Sequence, residues 1–180
     1  GKTRTSYKFA ICPMDILEIT ETSEYFRVTP YQGRRKLVLH PIPESQKNWK
    51  LLRVKRKQKI RGNKIQLTFH DGTNLIWKDD YESESLSIKD IRPQDSVKYD
   101  LVNKVILEHY PFEIGNSAVV LGGHNTGIFG HIRSYEKRYG RYKSIVLLET
   151  NRGNIQTSKE HVFITGKEDS AIEIPTPEGE

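Results

Sequence analysis

The stretch from Ala118 to Ile132, AVVLGGHNTGIFGHI, constrains the fold more than any other part of the chain. An apolar run enters a Gly-Gly-x-Asn-x-Gly turn and a second alternating run leaves it, the pattern of a β-hairpin. Glycines at 122, 123, 127 and 130 permit positive φ, or the approach of another backbone or a ligand where a Cβ would intrude. The tip has few side chains and can lie against a flat polar surface.

Elsewhere the chain keeps the same rhythm. Residues 13–19, 25–31, 37–40, 52–60, 65–69, 74–77, 96–101, 105–109, 144–149, 155–157 and 161–165 read as short strands between polar turns. His70-Asp71-Gly72-Thr73 carries an Asp-Gly hairpin signal. Residues 43–51 interrupt this pattern. Pro43 at a first helical position and Glu44 near the positive end of the dipole predict a helix of at most two turns. The expected fold class is mostly β, with two small β-barrels. The boundaries read as 1–36 for connecting strands, 37–111 for a central barrel, 112–167 for a second barrel after Pro111, and 168–180 for an acidic, disordered tail. The opening Gly1-Lys2-Thr3-Arg4-Thr5 lacks a methionine, so an upstream portion is expected.

With 35% hydrophobic residues the chain has enough apolar side chains for a core, yet no run is apolar enough to span a membrane. It also lacks a signal-like opening. Cys12 stands alone, which excludes an internal disulfide and a cysteine zinc cluster and favours a reducing compartment. The six histidines show no metal-binding helical spacing, there is no Gly-x-Ser-x-Gly elbow, and the glycine turn lacks the Lys-Ser/Thr of a phosphate loop. The chain reads as a non-enzyme without cofactor or metal.

The net charge of +6 is unevenly placed. Residues 1–70 carry 16 Lys and Arg against five acids, and the last 13 residues carry five acids and no base. A localised basic excess favours a polyanion partner. From Lys47 to Lys64 come Lys47, Lys50, Arg53, Lys55, Arg56, Lys57, Lys59, Arg61 and Lys64, without one acid. On an extended strand Arg53, Lys55, Lys57 and Lys59 would share one face and grip a phosphate backbone. A second cluster, Arg133, Lys137, Arg138, Arg141 and Lys143, interleaves with Tyr135, Tyr139 and Tyr142, a mixture suited to phosphates and stacked bases. Arg34-Arg35-Lys36 forms a smaller basic turn.

The glycine hairpin, preceded by Phe112-Glu113-Ile114-Gly115-Asn116, resembles a KOW motif. Its surroundings resemble one family, the archaeal and eukaryotic small-subunit ribosomal protein of the S-four-e type. The segments carrying that likeness are Gly1 through Ile16, Thr68-Phe69-His70-Asp71-Gly72-Thr73, Ile91 through Val97, Gly122 through Gly127, and Asn154 through Lys167. The resemblance implies that residues 1–36 include the end of an S4-type RNA-binding domain whose larger part is missing. It implies an SH3-like KOW barrel at 112–167, and Gly123, His124, Asn125 and Gly127 as RNA contacts of the turn. Ile128 stands where the family usually has Arg, which shifts that contact to His124, His131 or Arg133. The acidic end, in place of a basic tail, points to the archaeal type.

The expected function is a structural constituent of the small ribosomal subunit, bound to small-subunit ribosomal RNA beside neighbouring ribosomal proteins in the cytoplasm. No membrane is expected as a partner, and the chain should be a monomer outside the ribosome. The alternative is a KOW-containing transcription-elongation or RNA-processing factor.

Overall fold

The computed structural model describes residues 2–78, 86–138 and 143–175, and these form a mostly β structure of three antiparallel sheets. The first sheet holds β1 (Ile16–Ile19), β2 (Glu24–Pro30) and β3 (Leu37–Ile42) in that order. The second contains β4 (Trp49–Lys59), β5 (Ile65–Phe69), β6 (Asn74–Ile76), β7 (Ser96–Asp100) and β8 (Ile106–Tyr110), ordered β6-β5-β4-β7-β8. The third contains β9 (Ser117–Val120), β10 (Phe129–Glu136), β11 (Ile145–Thr150), β12 (Gly153–Ser158) and β13 (Val162–Ile164), ordered β12-β11-β10-β9-β13.

Turn chemistry sets these pairings. Gly62 and Asn63 take φ of 80° and 58°, the consecutive left-handed pair that a tight hairpin between β4 and β5 needs. Gly72 takes φ of 87° between β5 and β6, where the Asp71 carboxylate accepts the Thr73 N–H at 2.8 Å.

The long strand β4 feeds two cores, because alternate side chains leave a strand on opposite faces. Leu51 packs with Val119, Ile132, Leu148 and Phe163 of the third sheet. Leu52 and Val54 pack with Leu67, Phe69 and Val97 of the second sheet and with Ile91, which precedes β7. Each of these fully buried leucines contributes about 1.5–3 kcal/mol by leaving water. Polar ties reinforce the junction. Arg53 Nη1 donates to the carbonyls of Glu160 at 2.7 Å and Val162 at 3.0 Å, fastening β4 to the start of β13. Beside Pro111, the Asp95 carboxylate accepts the Phe112 N–H at 2.9 Å.

Three expectations are corrected. The helix over 43–51 is a single 3-10 turn, Glu44–Gln46, because Trp49, Lys50 and Leu51 are held in ladder with Asp100, Tyr99 and Lys98 of β7. The strand β3 belongs to the first sheet, paired with β2 from Tyr25↔Ile42 to Pro30↔Leu37, so the central sheet begins at Trp49 rather than at 37. The tail is ordered over 168–175: Ile172 is buried in the core beneath the third sheet, Ala171 and Ile174 pack against that core, and the Ala171 N–H donates to the Thr165 carbonyl at 2.9 Å. Apolar residues spaced among the acids hold it there.

Candidate nucleic-acid interface

The basic strand does not present one row of cations. A β-bulge between Val54 and Arg56 leaves Lys55 without a partner, after which Arg56 pairs with Thr68, Lys57 with Leu67 and Lys59 with Ile65. One extra residue reverses the alternation. Arg53 therefore lies on the side opposite Lys57 and Lys59, which share the side of Leu52 and Val54.

Several cations are committed within the protein. Lys50 Nζ bonds Asp15 Oδ1 at 2.9 Å and Asp71 Oδ2 at 2.6 Å, with only 12% of its side chain exposed. Burial pushes the Lys50 ammonium down, but the bonds to Asp71 and Asp15 more than offset this, and its pKa is raised. Burial likewise pushes the Asp71 carboxyl up, while Lys50 and Thr73 pull it below the usual carboxylate range. Lys57 donates to the carbonyls of Ile88 at 2.6 Å and Ile91 at 3.0 Å. Lys47 pairs with Glu44 at 2.5 Å and bonds Tyr25 Oη at 3.2 Å. Burial of the Arg53 guanidinium, only partly offset by Glu160, lowers its pKa.

Lys55, Arg56, Lys59, Arg61 and Lys64 remain exposed around the end of the β4–β5 hairpin. None of the five forms an ion pair with another described residue. Like charges gathered on one hairpin without acids repel one another and raise the local potential, so a polyanion is the natural counterpart. Arg34, Arg35 and Lys36 are also exposed, in the β2–β3 turn.

The glycine turn is used differently from its sequence reading. Gly127 is buried with φ of 87°, and a Cβ there would lie 2.1 Å from the Gln32 nitrogen and the Tyr31 carbonyl carbon. Its missing side chain admits the β2–β3 turn of this same chain, not an outside surface. Gly122 in turn admits the His161 ring, whose Nδ1 would lie 2.7 Å from an added Cβ. Asn125 is half-buried and donates from Nδ2 to the Gln156 carbonyl at 3.1 Å. Only Gly123 and His124 of the four expected turn contacts face solvent fully.

In the second basic cluster, Arg133, Lys137, Arg138 and Lys143 are exposed. Arg138 is forked onto Glu136 at 3.0 and 3.1 Å, Arg133 lies 3.7 Å from Glu149, and Lys143 pairs with Glu160. Arg141, Tyr139 and Tyr142 lie outside the described residues. His131 is exposed and its Nε2 lies 3.0 Å from the Glu168 carbonyl.

Sequence reasoning missed Lys159. Its ammonium sits 4.3 Å above the Phe112 ring and 5.1 Å from that of Tyr135. No local pattern announces it, since both rings come from distant stretches of the chain.

Comparison with known proteins adds one family. The model of ribosomal family S4e matches residues 22–106. The small ribosomal subunit protein eS4 of Aeropyrum pernix is 34% identical over 177 residues, covering 97% of this chain and 69% of that relative. The eS4 protein of Pyrobaculum islandicum is 38% identical over 174 residues, covering 97% of this chain and 70% of its own. The crystal structure of the 30S ribosomal protein S4e from Thermoplasma acidophilum superposes with a TM-score of 0.70 at 30% identity, covering 93% of this chain and 78% of that one.

Proposed function

This chain belongs to the S4e family of ribosomal proteins, and we propose that it is a structural constituent of the small ribosomal subunit that binds ribosomal RNA in the cytoplasm. Neighbouring ribosomal proteins would be its other partners. The observation that carries the RNA-binding part is the group of five exposed cations, Lys55, Arg56, Lys59, Arg61 and Lys64, on the β4–β5 hairpin. Their more buried neighbours Lys50, Arg53 and Lys57 anchor the hairpin, and the five carry the contact.

An RNA double helix offers phosphates and 2′-hydroxyls across a shallow groove, which a rigid cationic hairpin can meet by shape. Each phosphate neutralised releases counterions, so affinity falls with salt at a slope of about −0.7 to −0.9 per contact. The SH3-like KOW reading of residues 112–167 gives the glycine turn a positioning role, with Gly123 and His124 at the surface.

Two measurements test this. Sucrose-gradient sedimentation of cell extract should place the protein with the small subunit at moderate salt, and its absence there would sink the reading. Replacing the five hairpin cations by Gln should weaken binding of small-subunit RNA and flatten the salt slope while the melting temperature stays put.

A further inference from the structure

We propose that Tyr135, Phe112 and Lys159 form a receptor for one unstacked nucleotide of single-stranded RNA, the base against the Tyr135 ring and its phosphate at the Lys159 ammonium. This rests on the RNA-binding reading above and adds a second kind of RNA contact to it.

The site exists because of a bulge. The pairing of β10 with β11 runs Ile132↔Leu148 and then Ser134↔Leu147 and Tyr135↔Val146, leaving Arg133 as the extra residue. Regular alternation from Ile132 would turn Ser134 toward the core; the bulge turns Tyr135 there instead, onto the side of buried Val146. Near the end of its strand the tyrosine meets Phe112 edge-on, centroids 5.7 Å apart at 83°. It is not consumed by that contact, for 45% of Tyr135 stays in solvent.

Lys159 completes the group. Its ammonium lies close to both rings and has no hydrogen-bond acceptor among the described residues. Burial lowers its pKa; Asp95 raises it and the neighbouring Lys137 lowers it again. An ammonium held this way has three donors unspent and gains from an anion. A partly exposed aromatic ring beside an ammonium is the chemistry of a nucleotide, base on ring and phosphate on cation. A duplex keeps its bases stacked and cannot use the ring, so an unpaired base is the favoured occupant.

The test uses the full chain, a short single-stranded oligoadenylate and an RNA duplex of equal charge, with binding followed by fluorescence anisotropy at several salt concentrations. Tyr135→Ala should weaken the single strand about tenfold, the usual size of one lost base–aromatic stack, with the salt slope and the duplex affinity unchanged. Tyr135→Phe should retain wild-type binding. Tyr135→Leu keeps an apolar cover over Phe112 without a planar ring and should lose as much as Tyr135→Ala, which separates stacking from folding. Lys159→Gln should reduce the single-strand salt slope by about 0.7.

Wild-type affinity in the folded Tyr135→Leu variant would overturn the proposal, leaving Tyr135 as a cover for the core edge. In that event the five-cation Gln variant still decides the ribosomal reading independently, through its binding of small-subunit RNA. If the wild-type chain binds neither probe, both proposals fall.

Discussion

Nε2 of His109 lies 2.8 Å from Oδ2 of Asp95, joining the end of β8 to the turn before β7. The same carboxylate accepts the N–H groups of Arg92 at 2.8 Å and Phe112 at 2.9 Å, and only 4% of its side chain is exposed. One acid thus holds the chain on both sides of Pro111. Asp95→Ala strands three donors and should cost about 2–4 kcal/mol in urea unfolding. Asp95→Asn keeps one acceptor oxygen and should cost less.

Lys50, Asp15 and Asp71 give stability a pH window. Asp71 is depressed below its ordinary 3.8, so its contribution is present above that value and is lost as pH falls through the lower folded value. Lys50 is raised above its ordinary 10.5, so its contribution is full below that value and is lost as pH climbs through the higher folded one. Lys50→Met leaves two carboxylates facing each other and should cost about 3–5 kcal/mol at neutral pH, with a flatter acid limb. Thermal melts across pH check both statements.

The glycines separate by what faces them. Gly127→Ala places a Cβ inside the Tyr31–Gln32 backbone at a positive φ, and backbone cannot swing aside as a side chain can. It should cost at least about 3 kcal/mol. Gly123→Ala meets only His161 at 3.7 Å and bears the conformational strain alone, about 1–2 kcal/mol. Equal melting temperatures for the two variants would contradict this assignment.

Arg27 is a buried cation at 1% exposure, 4.5 Å above the Trp49 ring, and among the described residues its guanidinium makes one hydrogen bond, from Nη1 to Gln46 Oε1 at 3.2 Å. Its Nε and Nη2 lack protein partners among the described residues, and burial lowers its pKa to about 10. An apolar side chain of similar length removes that desolvation cost. Arg27→Met should therefore be neutral or stabilising by about 1–3 kcal/mol, read from the urea midpoint.

Local signals carried the strands and hid the charges. The run Ile65–Phe69 and the Asp71-Gly72 turn are legible because alternation and a positive φ belong to neighbouring residues. The bulge at Lys55 is not, because an unpaired residue is defined by the register of the partner strand. The acids that quench Lys50 come from 35 and 21 residues away, so a stretch without one acid looked uncompensated. Chain order likewise concealed that Gly127 serves the Tyr31–Gln32 backbone, and that Lys159 sits over two rings.

The bulge in β4 also governs which changes of length the strand tolerates. Lys55 occupies no rung of the ladder, so deleting it leaves Arg56↔Thr68, Lys57↔Leu67 and every later pair as they are. Deleting Lys57 instead would slide Gln58 and Lys59 into their neighbours' places and exchange their faces. Shortening of β4 among relatives should accordingly concentrate at position 55, where natural variation can remove a residue without touching either core.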